Sequence, residues 1–77
     1  MAIEISDLDA MQAAYKAAVD QWIAAIREEE ALASVNHSEA EVDAWEAAGF
    51  REEDARAKAK NAKSVYEEAL REKFFNF

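Results

Sequence analysis

The sequence predicts an all-α protein: an antiparallel helical hairpin that pairs with a second copy into a dimeric four-helix bundle. Three observations predict it. Helix breakers are nearly absent, with no Pro and one Gly in 77 residues, while the strong helix formers Ala, Glu, Lys and Arg abound. Large apolar residues recur every three or four positions in two long segments, the spacing of one helix face. Only a few residues separate these segments, a link that makes successive helices antiparallel neighbours.

The dimer is expected from composition. Apolar residues make up 52% of the chain, but 19 of those 40 are Ala, so few large side chains remain to fill a core. Chains this short are usually stabilised by disulfides, metal or oligomerisation. With no Cys and one His, the first two are poorly supplied and self-association is left.

The first helix is expected over about residues 7–34 of a single domain. Ser6 is a candidate N-cap, and Asp7 and Asp9 suit the positive end of the helix dipole. Leu8, Met11, Tyr15, Val19, Trp22 and Ile26 then follow at spacings of three and four, forming one stripe. Pairs eleven apart, such as Leu8 with Val19 and Met11 with Trp22, imply a nearly straight helix rather than a heptad coil. Ile23 falls off the stripe, on a second contact surface.

Residues 34–38 connect the helices. Asn36 with Glu39 and Ser38 with Glu41 compete as start signals. Ser38 is preferred, because Ser-x-x-Glu is the capping-box form. The second helix is expected over about residues 39–74, and two arrangements stay open at Gly49. A single helix can pass through, at a cost of about 1 kcal/mol relative to Ala. Alternatively the helix kinks or breaks there, with Gly49 as a left-handed cap and Phe50 folded back onto Trp45. Beyond it, Ala55, Ala59, Ala62, Tyr66, Ala69 and Leu70 form a stripe, and Phe74, Phe75 and Phe77 give an aromatic end.

A turn centred near Val35 and Asn36 makes residue i face about residue 71 − i. That register predicts pairs of Asp20 with Arg51, Lys16 with Asp54, and Asp7 and Asp9 with the run Arg56, Lys58, Lys60 and Lys63. Near the turn it fails, bringing Glu28–Glu30 towards Glu41 and Asp43. The residues expected at interfaces are Leu8, Met11, Tyr15, Trp22, Ile23, Ile26, Trp45, Phe50, Tyr66, Leu70, Phe74 and Phe75.

Several functions are disfavoured. The net charge of −8 opposes binding to nucleic acid or to anionic lipid. No apolar run approaches the roughly 20 residues that span a bilayer. No signal-peptide pattern opens the chain, so a cytoplasmic location is expected. No phosphate loop, nucleophile elbow or zinc-ligand spacing is present. Ser34 stands three before His37, so the Glu-x-x-His motif of bundle di-metal sites is missing, and His37 reads as a turn residue. Glu28/Glu29 and Glu52/Glu53 are sequence neighbours that point about 100° apart on a helix, so neither pair forms an acid–base dyad. Arg56, Lys60 and Lys63 share a face but lack interleaved aromatics for stacking bases.

Val42-x-x-Trp45-x-x-Ala48-Gly49-Phe50, followed by a helix, resembles the first helix and Gly-Phe loop of ubiquitin-associated domains. That resemblance implies a compact three-helix bundle binding ubiquitin through the loop and its last helix. It covers only part of the chain. Ala48 stands where the family usually has Met, and Ala55 to Ala59 lacks the large aliphatic residues of the family's second helix. The hairpin is therefore the fold carried forward.

Functionally, the sequence predicts a non-enzymatic protein without cofactor or metal, acting as a homodimer and through contact with protein partners. The alternative is an acidic inhibitor or mimic that covers a basic, nucleic-acid-binding protein surface. Its basis is the stretch Glu39 to Asp54, with seven acids against one Arg.

Overall fold

The computed structural model describes residues 3–33 and 38–75. It contains two helices, α1 (Ile5–Leu32) and α2 (Glu39–Phe75), packed against each other as an antiparallel hairpin. Ser34, Val35, Asn36, His37 and Phe77, on which sequence expectations fell, lie outside the described residues.

The first helix starts two residues earlier than expected. Glu4, not Ser6, occupies the N-cap, and its backbone N–H donates to Asp7 Oδ2 at 3.1 Å. An Asp at the third helical position both takes an orphan N–H and places negative charge at the positive end of the dipole. Ser6 has become a first-turn residue, because the carboxylate of Asp7 can fold back over the helix end and a hydroxyl at Ser6 is no longer needed there.

The second helix starts as its sequence predicts. Glu41 N–H donates to Ser38 Oγ at 3.2 Å, and Ser38 N–H donates to Glu41 Oε2 at 3.5 Å. This reciprocal box satisfies donors that the first turn would otherwise leave unpaired.

There is no break at Gly49. α2 runs for 37 residues without interruption, so the arrangement with a left-handed glycine cap is excluded, and the Gly-Phe loop of the ubiquitin-associated resemblance with it. The sequence around Gly49 explains why. Ala44, Ala47 and Ala48 precede it, no residue beyond it caps a new helix, and continuing costs only about 1 kcal/mol.

The helices meet along a seam of small residues. Ala48, Ala59 and Ala69 are buried, at spacings of eleven and ten residues. Each spacing is about three helical turns, so they lie on one broad face of α2. Ala55, Ala62 and Tyr66 fill in between and are half-buried. From α1, Leu8 is buried, and Met11, Tyr15, Val19 and Trp22 are half-buried. Large side chains of one helix thus pack over the methyl groups of the other, which allows a close approach of the axes.

This packing makes an elongated molecule. Its extents are 55 × 18 × 14 Å and its radius of gyration is 17.3 Å, against about 11.5 Å for a compact domain of this length. The long axis matches the roughly 1.5 Å rise per residue of α2.

The register also departs from the loop-centred expectation, by one to two turns. Trp22 meets Glu52 rather than residue 49, and Glu29 lies beside Gly49 rather than residue 42. Arg51 therefore pairs with Glu28, not Asp20. Asp54 pairs within its own helix with Lys58 at 3.2 Å, not with Lys16. The carboxylate of Asp7 is engaged at the cap. Fitting large residues over the alanine seam sets the register, whereas symmetry about the loop does not.

Candidate interaction surface

α1 ends badly for its dipole. Its last turn holds no basic residue, and Glu28, Glu29 and Glu30 sit near the negative end, where acids are unfavourable. Arg51 reaches across from α2 to Glu28 and relieves part of this. Both partners are half exposed, so the pair contributes at most about 1 kcal/mol.

Trp22 makes the other cross-helix link. Its Nε1–H donates to Glu52 Oε1 at 2.8 Å in a part-buried setting. Sequence reasoning gave Glu52 only a solvated role. The signal that could have found it is general: a half-buried indole N–H takes a hydrogen-bond acceptor.

These two links mark opposite flanks of the hairpin. Ile26 follows Trp22 by four residues, one turn along the same stripe, and Trp45 precedes Glu52 by seven, two turns along its stripe. The Trp22–Glu52 bond therefore joins the stripes that carry Ile26 and Trp45. Ile23 and Val42, each three residues before its neighbour, extend them. All four are exposed, Trp45 by 45%. Together they form an apolar cluster at the turn end.

A second cluster occupies the open end of the same flank. Ile5 precedes Ile23 by 18 residues, five turns, and Phe74 follows Trp45 by 29, about eight turns. Both are exposed, Phe74 by 62%. Between the clusters α2 carries Arg56 and Lys63, eleven and eighteen residues after Trp45 and so on nearly the same line.

The expected interface residues thus fall into two groups. Leu8, Met11, Tyr15, Trp22, Tyr66 and Leu70 are buried or half-buried within the hairpin. Ile23, Ile26, Trp45, Phe50, Phe74 and Phe75 are exposed. Phe50, exposed by 72%, points about 140° away from Trp45 and belongs to neither cluster. Val42 and Val65, which the sequence reading left outside the interface set, are also exposed.

Charge is divided between the ends. Residues 20–55, which form the turn half, hold eleven acids against two bases. The rest of the chain, the open half, holds six acids against seven bases. The turn half thus carries all of the net negative charge, and the open half is nearly neutral.

Features of a chemical site are sparse. An open groove of about 300 Å³ lies between the end of α1 and the start of α2, lined by Ala31, Leu32, Ala40, Glu41 and Ala44. Among the described residues its one polar side chain, Glu41, already serves the cap, whereas ligand pockets use several convergent polar groups. Among the described residues, no group of three or more His, Asp or Glu could hold a metal ion, and no helix is long and apolar enough to cross a membrane.

No known protein family, characterised protein or solved structure matches this chain.

Proposed function

We propose that this hairpin is a non-enzymatic association module that pairs with a second copy of itself and presents the resulting bundle to protein partners. One observation carries the reading: three of the four buried residues described are alanine, while several large apolar side chains stay exposed. The buried set among the described residues is Leu8, Ala48, Ala59 and Ala69, while Ile5, Ile23, Ile26, Val42, Trp45 and Phe74 are each more than 40% exposed along one flank. A buried methyl contributes only about 0.8 kcal/mol, whereas covering a large aliphatic or aromatic side chain contributes roughly 1.5–3 kcal/mol. Part of the chain's hydrophobic stabilisation is therefore still unrealised in a single hairpin. Contiguous apolar surface rimmed by charge marks an association site.

Molar mass by light scattering across a concentration series tests this. A mass approaching twice 8.6 kDa is expected. A mass that stays at 8.6 kDa at high concentration, with a cooperative melt, overturns it.

The charge division favours a second reading, in which the acidic turn half covers a basic protein surface. Glu39, Asp43, Glu46 and Glu53 are exposed there. Binding to a basic nucleic-acid-binding protein that falls steeply with added salt would support this reading. Self-association that tolerates salt supports the first.

A further inference from the structure

We infer that the two copies lie head to tail, with the turn end of each hairpin against the open end of the other, on the flank that carries Trp45, Arg56, Lys63 and Phe74. This rests on the self-association proposed above and adds its geometry.

The flank is apolar at both ends and charged in the middle. Two-fold symmetry then allows two arrangements of paired hairpins. In the parallel one, each apolar cluster meets its own copy. In the head-to-tail one, the cluster of Ile23, Ile26, Val42 and Trp45 meets Ile5 and Phe74 of the other copy, and the same contact forms twice. Apolar burial alone does not choose between them, because both cover the same residues.

Charge does choose. Stacking the turn halves sets a half with eleven acids and two bases beside another half of the same charge. Like charges brought within a Debye length, about 8 Å at physiological salt, are screened only partly. Head-to-tail stacking sets each acidic half on a half that carries six acids and seven bases. Lys60 and Lys63 lie on the open-end side of the middle of α2, so this arrangement brings them over the acidic half of the other copy, where Glu53 is exposed. Each such pair contributes little, but avoiding the repulsion of the parallel stack selects the orientation.

The available surface is large enough. A flank with the hairpin's full 55 Å length and its 14–18 Å width offers on the order of the 800 Å² per copy that a stable standard interface buries.

The chain has no Cys, so a single cysteine can carry a spin label at a chosen place. Ala40 and Ser6 are exposed, at the turn end and the open end. In the full-length protein at a concentration where light scattering gives the dimer mass, two Ala40→Cys labels should lie apart by a distance comparable with the 55 Å length. A mixture of Ala40→Cys and Ser6→Cys proteins should give a much shorter distance, set by the 14–18 Å thickness of each hairpin rather than by its length. A short distance between like labels at dimer mass overturns the head-to-tail arrangement and leaves self-association standing. A chain that remains at monomer mass overturns both. Labels at Ala31, also exposed at the turn end, repeat the measurement if Ala40→Cys alters folding.

Discussion

Trp22 and Glu52, thirty residues apart in sequence, are joined by a 2.8 Å hydrogen bond from the indole N–H to Oε1. The bond forms at the level where the alanine seam brings the two helices together. It also ties together the stripes that lead to Ile26 and Trp45, and so defines the flank proposed for association.

A hydrogen bond to a charged acceptor in a part-buried site contributes roughly 1.5–3 kcal/mol. Trp22→Phe removes the donor while keeping an aromatic ring, and Glu52→Ala removes the acceptor. In a double-mutant cycle by chemical denaturation the two should show a coupling of at least about 1 kcal/mol. Additive effects would mean that the bond does not hold the register.

Gly49→Ala should stabilise the protein by about 0.5–1 kcal/mol. The residue lies inside a continuous helix, where Gly is disfavoured relative to Ala by that amount. An added Cβ would meet Glu29 Oε1 at 3.7 Å, an ordinary contact. A loss of stability in thermal or urea melts would point instead to the left-handed cap that the continuous helix excludes.

Ala59→Leu should destabilise the hairpin by about 1–3 kcal/mol, because the added carbons have no space where Ala59 is 2% exposed and the helix axes must part. Ala57→Leu, on an exposed position of the same helix, should change stability by less than about 0.5 kcal/mol. Similar melts for both variants would show that the alanine seam is not closely packed.

Ser38→Ala should cost about 1 kcal/mol by removing the acceptor for the Glu41 N–H. Arg51→Ala, at a half-exposed ion pair, should cost less than about 1 kcal/mol, and the difference should shrink in high salt. Urea melts at two salt concentrations separate the two effects, since the cap is a local hydrogen bond and responds weakly to salt.

Trp45→Ser should weaken self-association at least tenfold, with little effect on the melt of the single hairpin. The side chain is exposed in the hairpin, and burying an aromatic contributes roughly 1.5–3 kcal/mol, counted once on each copy. Phe50→Ser, exposed on a different face, should leave the association constant unchanged. Sedimentation equilibrium distinguishes the two, and equal effects would place the interface elsewhere.

The sequence by itself determined what depends on neighbours along the chain. The absence of Pro, the three-and-four spacing from Leu8 to Ile26 and the Ser38-x-x-Glu41 box set two helices, their antiparallel order and the start of the second, because helix faces and caps are local physics. The first cap was misplaced by two residues because Glu4 and Ser6 both offer oxygen acceptors, and which of them is used depends on where Asp7 folds. The continuity at Gly49 was left open by the sequence, because the cost of Gly in a helix is close to what a cap recovers. Tertiary packing decided the rest. The seam of Ala48, Ala59 and Ala69 selected the register, since large side chains over methyl groups allow the closest approach, and that register gave Arg51 to Glu28 and Glu52 to Trp22. Only after the seam had used Leu8, Met11, Tyr15 and Trp22 was it settled that Ile23, Ile26, Trp45 and Phe74 remain uncovered, because exposure depends on how the two helices face each other and not on either helix alone.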